Sequence, residues 1–123
     1  MFIFSDMVSA VGGGGTAPSP GWFARAALAS CDATVVALRA AQLGVELSAL
    51  VVTVGSQSDD RGLLGIDDSI PAGPLSVRVH VRLGADGVEA ERLREIVEWA
   101  KAHAPVGDAI RRAVPSKVEV EIV

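Results

Sequence analysis

Residues 20–44 read PGWFARAALASCDATVVALRAAQLG, and this stretch decides the architecture. It has no interior proline, alanine dominates it, and Gly44 stands where a helix-ending glycine is expected. The pattern predicts a long helix from Pro20 or Gly21 to about Gly44. Stepping ~100° per residue puts Phe23, Ala27, Cys31, Val35 and Leu38 on one face and Arg25, Asp32 and Arg39 on a narrow polar stripe. Ala26, Ala29, Ala33, Ala37 and Ala40 take the remaining side. Only the stripe is then expected to face water, so the helix needs cover on two sides, and its alanines let another backbone come close. It reads as a central helix at a subunit contact.

Upstream, Met1-Phe2-Ile3-Phe4 has the bulk of a short strand, and GGGGTAPSP at 12–20 reads as a flexible linker that stiffens at its prolines. Downstream of Gly44 the period changes to two. Leu50–Val54 is expected as a strand, and a second one alternates Leu75, Val77, Val79, Val81 and Leu83 with Ser76, Arg78, His80 and Arg82. Lys117–Val123 alternates Val118, Val120 and Ile122 with Glu119 and Glu121. Its acidic face suits the basic face of the 75–83 strand, so those two are expected to be neighbours. Val88–Ala102 has helical spacing, and Pro105 to about Val114 reads as a short helix. The fold class is α+β, in one domain over 1–123: strand and linker at 1–20, central helix at 21–44, sheet and helix pair at 45–123. Residues 55–74 form a loop long enough to be a site wall or an oligomer contact. Its aspartates lack the spacing of a calcium loop and read as solvated.

Composition limits the partners. The chain has 123 residues, half of them apolar, with 11 basic and 15 acidic side chains. A net charge of −4 without a basic run excludes a nucleic-acid surface. No apolar run approaches the ~20 residues of a membrane helix, and the expected location is cytoplasmic, with no membrane partner. A core this small with an exposed apolar face favours cover by a second copy, a homodimer.

Cys31 is the only cysteine, which excludes an intrachain disulfide and a cysteine-based zinc site. It is also the one strong nucleophile, although a mid-helix thiol on an apolar face is commonly a small buried hydrophobe. Asp32 beside it opposes ionisation, so a supporting cation has to come from elsewhere in the fold. The glycines at 12–15 lack the Gly-Lys-Ser/Thr of a phosphate cradle, and no serine stands in a nucleophile elbow. His80 reads as solvated and His103 as a helix-end residue, with Trp22 and Phe23 as core or pocket wall. No metal site and no organic cofactor are implied.

Several runs together resemble the OsmC/Ohr family. Pro18-Ser19-Pro20 followed by Ala26-Ala27-Leu28-Ala29-Ser30-Cys31, with Thr34 three residues on, resembles the proline turn and alanine-rich helix that carries that family's first cysteine. Gly44-Val45-Glu46-Leu47 before a strand, Ser58–Gly65, the alternating strand after Pro74, and Ala104-Pro105-Val106 follow in the family's order. The resemblance covers the chain from Gly12 onward. It implies an OsmC-like long central helix packed on an antiparallel sheet, with the N-terminal sheet shortened, in a homodimer. It also implies a thiol peroxidase that reduces organic hydroperoxides through a cysteine sulfenic acid. Cys31 then takes the peroxidatic place, Phe23, Ala27 and Val35 line the substrate pocket, and Arg61 is the candidate for the missing cation. Two positions depart from the pattern. The family's second cysteine falls on Ala104, and its glutamate after the proline falls on Gly21, so an external thiol is implied as reductant. The alternative is a catalytically inactive OsmC-like dimer that binds a small apolar ligand or acts structurally.

Overall fold

The computed structural model describes residues 2–123. In chain order it contains a short 3-10 turn at Ser9–Val11, helix α1 (Pro20–Gln42), strand β1 (Ala49–Gln57), one helical turn α2 (Asp60–Leu63), strand β2 (Ser76–Gly84), helix α3 (Ala90–His103) and helix α4 (Pro105–Arg111). It is an α+β fold in which α1 packs on a two-stranded antiparallel sheet and against α3 and α4.

Helix α1 begins and ends as the sequence predicts. The Ser19 Oγ accepts the Trp22 backbone N–H at 3.2 Å, and Pro20 occupies the first turn, where its missing donor costs nothing. At the other end Gly44 takes φ 68°, which lets its N–H reach the Ala41 carbonyl while the Val45 N–H reaches that of Ala40. This paired closure satisfies the last carbonyls and turns Val45 back onto the core.

The core lies where the second half of α1 meets α3. Val35, Val36 and Ala40 pack with Ile96, Ala100 and Ala104, and Ile96 is fully buried. Ala40, Ala100 and Ala104 are small enough to bring the helices close while Val36 and Ile96 fill the space between them. On the sheet, Leu50, Val52 and Val54 pair with Leu83, Val81 and Val79. Arg78, His80 and Arg82 are all exposed on β2, as expected.

Four expectations are corrected. The stripe of Arg25, Asp32 and Arg39 does not face water: all three are half-buried, while Ala27, Thr34, Ala37, Leu38 and Ala41 are exposed. The large side chains decide the inward face, because Leu28, Val35 and Val36 bury far more area than any alanine; the three charged residues lie between them and find partners on that side. The GGGG linker is anchored rather than loose. Asp6 accepts the Gly14 and Thr16 N–H groups and the Thr16 hydroxyl, and this, chiefly the Thr16 backbone contact, lowers its pKa to about 2. The short N-terminal strand is not formed over Phe2–Phe4, whose side chains are exposed, and Met1 lies outside the described residues. Finally, Lys117–Val123 forms no regular element and joins no sheet, and its alternating Val118, Val120 and Ile122 stand in solvent. Alternation shows that a segment can pair; it does not choose the edge.

Candidate active site

Cys31 lies in the middle of α1, half-buried, against the core cluster. Its Sγ is 3.5 Å from the backbone nitrogen of Val106, whose N–H points at the sulfur. Pro105 opens α4, with Ala104 before it as the fully buried N-cap residue. The thiol therefore sits at the seam between the central helix and the α3–α4 junction, where a backbone donor is available to a developing thiolate.

Asp32, next in sequence, turns to another side. Burial pushes its carboxyl above the usual carboxylate range, and the positive charge of Arg111 opposes that push. Arg111 is fixed by a 2.8 Å hydrogen bond to the Lys101 carbonyl. Its guanidinium lies over Gly107, where an added Cβ would stand 3.0 Å from Nη1. Further along α1, Arg39 lies 4.5 Å from the Trp99 ring centre, and the His103 ring stacks on Trp99 at 4.0 Å. His103 Nδ1 also contacts the Trp99 carbonyl at the end of α3.

The other sequence-predicted site residues are dispersed. Phe23 is half-buried, edge-on to Trp22 with ring centres 5.4 Å apart. Ala27 is exposed one turn before Cys31, and Val35 is in the core one turn after it. Arg61 stands in α2, the helical turn after β1, bound to Asp59 through Nε and through a 2.7 Å Nη2 contact. That guanidinium holds the Asp59 carboxyl below the usual range. Sequence reasoning missed the Val106 N–H, which has no side-chain signature beyond its place after Pro105. It also missed Arg25 and Arg111, which a helical projection assigned to water or left unplaced. Among the described residues no cluster of His, Cys, Asp and Glu could hold a metal ion, and no helix is long and apolar enough to cross a membrane.

The model of the OsmC-like protein family matches residues 12–119. The chain belongs to that family. Among solved structures it is similar to an organic hydroperoxide resistance protein OsmC from Legionella pneumophila, with a TM-score of 0.63 and 20% identity over 86% of this chain and 71% of that one. An OsmC-like protein from Mycoplasma pneumoniae gives 0.66 and 14% over 78% and 64%. A putative organic hydroperoxide resistance protein from Vibrio cholerae, with captopril bound in one of its active sites, gives 0.56 and 25% over 86% and 67%. No curated protein matches. The matched range takes in Cys31, Ala104 and Pro105, and the fold brings the Val106 N–H, just after that proline, to the Cys31 sulfur.

Proposed function

We infer that this chain is a one-cysteine thiol peroxidase acting on organic hydroperoxides. The observation that carries the reading is the Val106 N–H directed at the Cys31 sulfur, 3.5 Å away, in a member of the OsmC-like family. In the proposed step the Cys31 thiolate attacks a peroxide oxygen. An S–O bond forms, the O–O bond breaks, and the alkoxide leaves as an alcohol after taking a proton. A first external thiol displaces hydroxide from the sulfenic acid as water, leaving a mixed disulfide. A second releases Cys31 as the thiol and the reductant as a disulfide. The external thiol is required because Ala104 cannot serve as a resolving partner. The captopril in the Vibrio cholerae relative, itself a thiol compound, is in keeping with such access.

Phe23 and the exposed Ala27 lie along the open side of α1 leading to Cys31 and are the proposed resting surface for the organic body, with Val35 backing the sulfur from the core. Arg61 would assist only by exchanging Asp59 for the peroxide. The homodimer belongs to the same reading. A second copy would cover the outward alanines of α1 and the open edge of β2, whose Arg78, His80 and Arg82 complement Glu119 and Glu121 of the unpaired tail.

The test is consumption of cumene hydroperoxide with dithiothreitol as reductant, alongside a sulfenic-acid trap read by mass. Wild type should turn over peroxide and gain one adduct at Cys31, and Cys31→Ser should do neither. Equal consumption in the serine variant, or an unlabelled wild type, replaces this reading with the passive ligand-binding dimer.

A further inference from the structure

Two cavities run along the side of α1 away from Cys31, between that helix, β2 and α4. One is about 650 Å³ and the other about 590 Å³, and both are walled by Leu28, Val77 and Ile110. They form one apolar trough along the helix. Arg25 and Ser56 also line the first cavity, and Asp32 and Arg111 the second.

Arg25 is the cationic group at one end of the trough. It is half-buried, its Nη1 donates to the Ser56 hydroxyl at 3.0 Å, and among the described residues no carboxylate lies within ion-pair distance of it. A guanidinium has five donors in a planar fork suited to an anion, and one neutral hydroxyl leaves most of them free. The neighbouring position explains why nothing in the chain balances it. A Cβ built on Gly21 would stand 3.5 Å from Arg25 Nη1, so any side chain at 21 would reach the guanidinium, and glycine leaves it open. The opposite end differs, because there the cation Arg111 shares the wall with a carboxylate, Asp32.

We propose that the trough binds an amphiphile with a single anionic head, which Arg25 and Ser56 hold while its apolar body lies between Leu28, Val77 and Ile110. The cavity sizes fall within the usual range for small-molecule sites, with mostly apolar walls and a few placed polar groups. The ligand class follows from that pairing: a carboxylate or similar monoanion on an aliphatic or aryl body. Cys31 lines neither cavity, so this proposal stands apart from the peroxidase reading.

Decanoate and decanol are the probes, titrated into the full chain by calorimetry and by amide chemical shifts. Wild type should bind decanoate more tightly than decanol, with shifts centred on Arg25, Ser56 and Val77. Gly21→Glu supplies the absent carboxylate in the first turn of α1, where acidic residues suit a helix start, so the variant should fold at least as well. It should weaken decanoate by at least about tenfold, the scale of one charge-assisted hydrogen bond, and leave decanol within about threefold. Arg25→Gln should do the same, and Cys31→Ser should change neither ligand while abolishing peroxide turnover. No decanoate binding to wild type, which is also the outcome if a second copy fills the trough, overturns the proposal. So does equal decanoate affinity in the wild-type and Gly21→Glu proteins, or decanol binding as tightly as decanoate.

Discussion

The two halves of α1 have similar composition and opposite surroundings. From Val35 to Ala40 the helix meets Ile96, Ala100 and Ala104 with almost no solvent left between them. From Gly21 to Leu28 it faces a trough, and only Leu28 is buried. Cys31 stands at the boundary, half-buried against the core cluster that the closed half forms. Packing, rather than helix propensity, separates a closed end from an open end on the same element.

The largest expected effects test that contrast. Ile96→Ala, which removes the best-buried side chain, should lower unfolding free energy by about 2–5 kcal/mol in urea titration. Leu28→Ala, beside existing empty space, should fall at or below the bottom of that range. Equal losses would mean that the trough is not open in solution.

Ala104→Cys sharpens the boundary. The added sulfur enters a fully buried position, so the reduced variant should lose about 1–3 kcal/mol. After hydroperoxide treatment it should lose two hydrogens and link Cys31 to position 104, read by peptide mass mapping. Two free thiols after treatment would show that the α3–α4 junction does not present this position to Cys31.

Smaller is the effect at the inward charges. Arg39→Gln should cost about 0.5–1 kcal/mol, as its guanidinium leaves the Trp99 face, with a change in tryptophan emission as the local readout. An unchanged emission spectrum would place Arg39 in water, as a simple helical projection does.

The smallest effect is confined to the N-terminal loop. With its folded pKa near 2, below the ordinary value of 3.8, Asp6 holds the Gly12–Thr16 turn fully once the pH is above that ordinary value. The contribution is lost as pH falls toward 2, because the folded carboxylate then gains its proton. The Asp6 carboxyl resonance should titrate with a midpoint near 2 in wild type and somewhat higher in Thr16→Ala, which loses the hydroxyl but keeps the backbone N–H. A wild-type midpoint at 3.8 would leave the turn without its anchor.

Most of the elements were legible because their causes are local. Proline at the start and glycine past the end of α1, period-two alternation in β2 and the proline break before α4 all act within a few residues. Family membership was legible from the order of several weak runs. The orientation of α1 was not, since a projection gives alanine and valine equal votes and burial does not. The thiol's donor was hidden too, because an amide N–H has no letter of its own; only position 106 after Pro105 hinted at it. Arg25 was misread for a third reason: its lack of a counter-charge depends on Gly21 and on the distance to Ser56, which are facts of packing.

The edge of β2 is unpaired and so is the alternating segment 117–123, and the proposed homodimer would join the two across molecules as one ladder. Wherever two such molecules complete it for each other, dilution becomes a denaturant, and the melting temperature should climb with protein concentration by mass action.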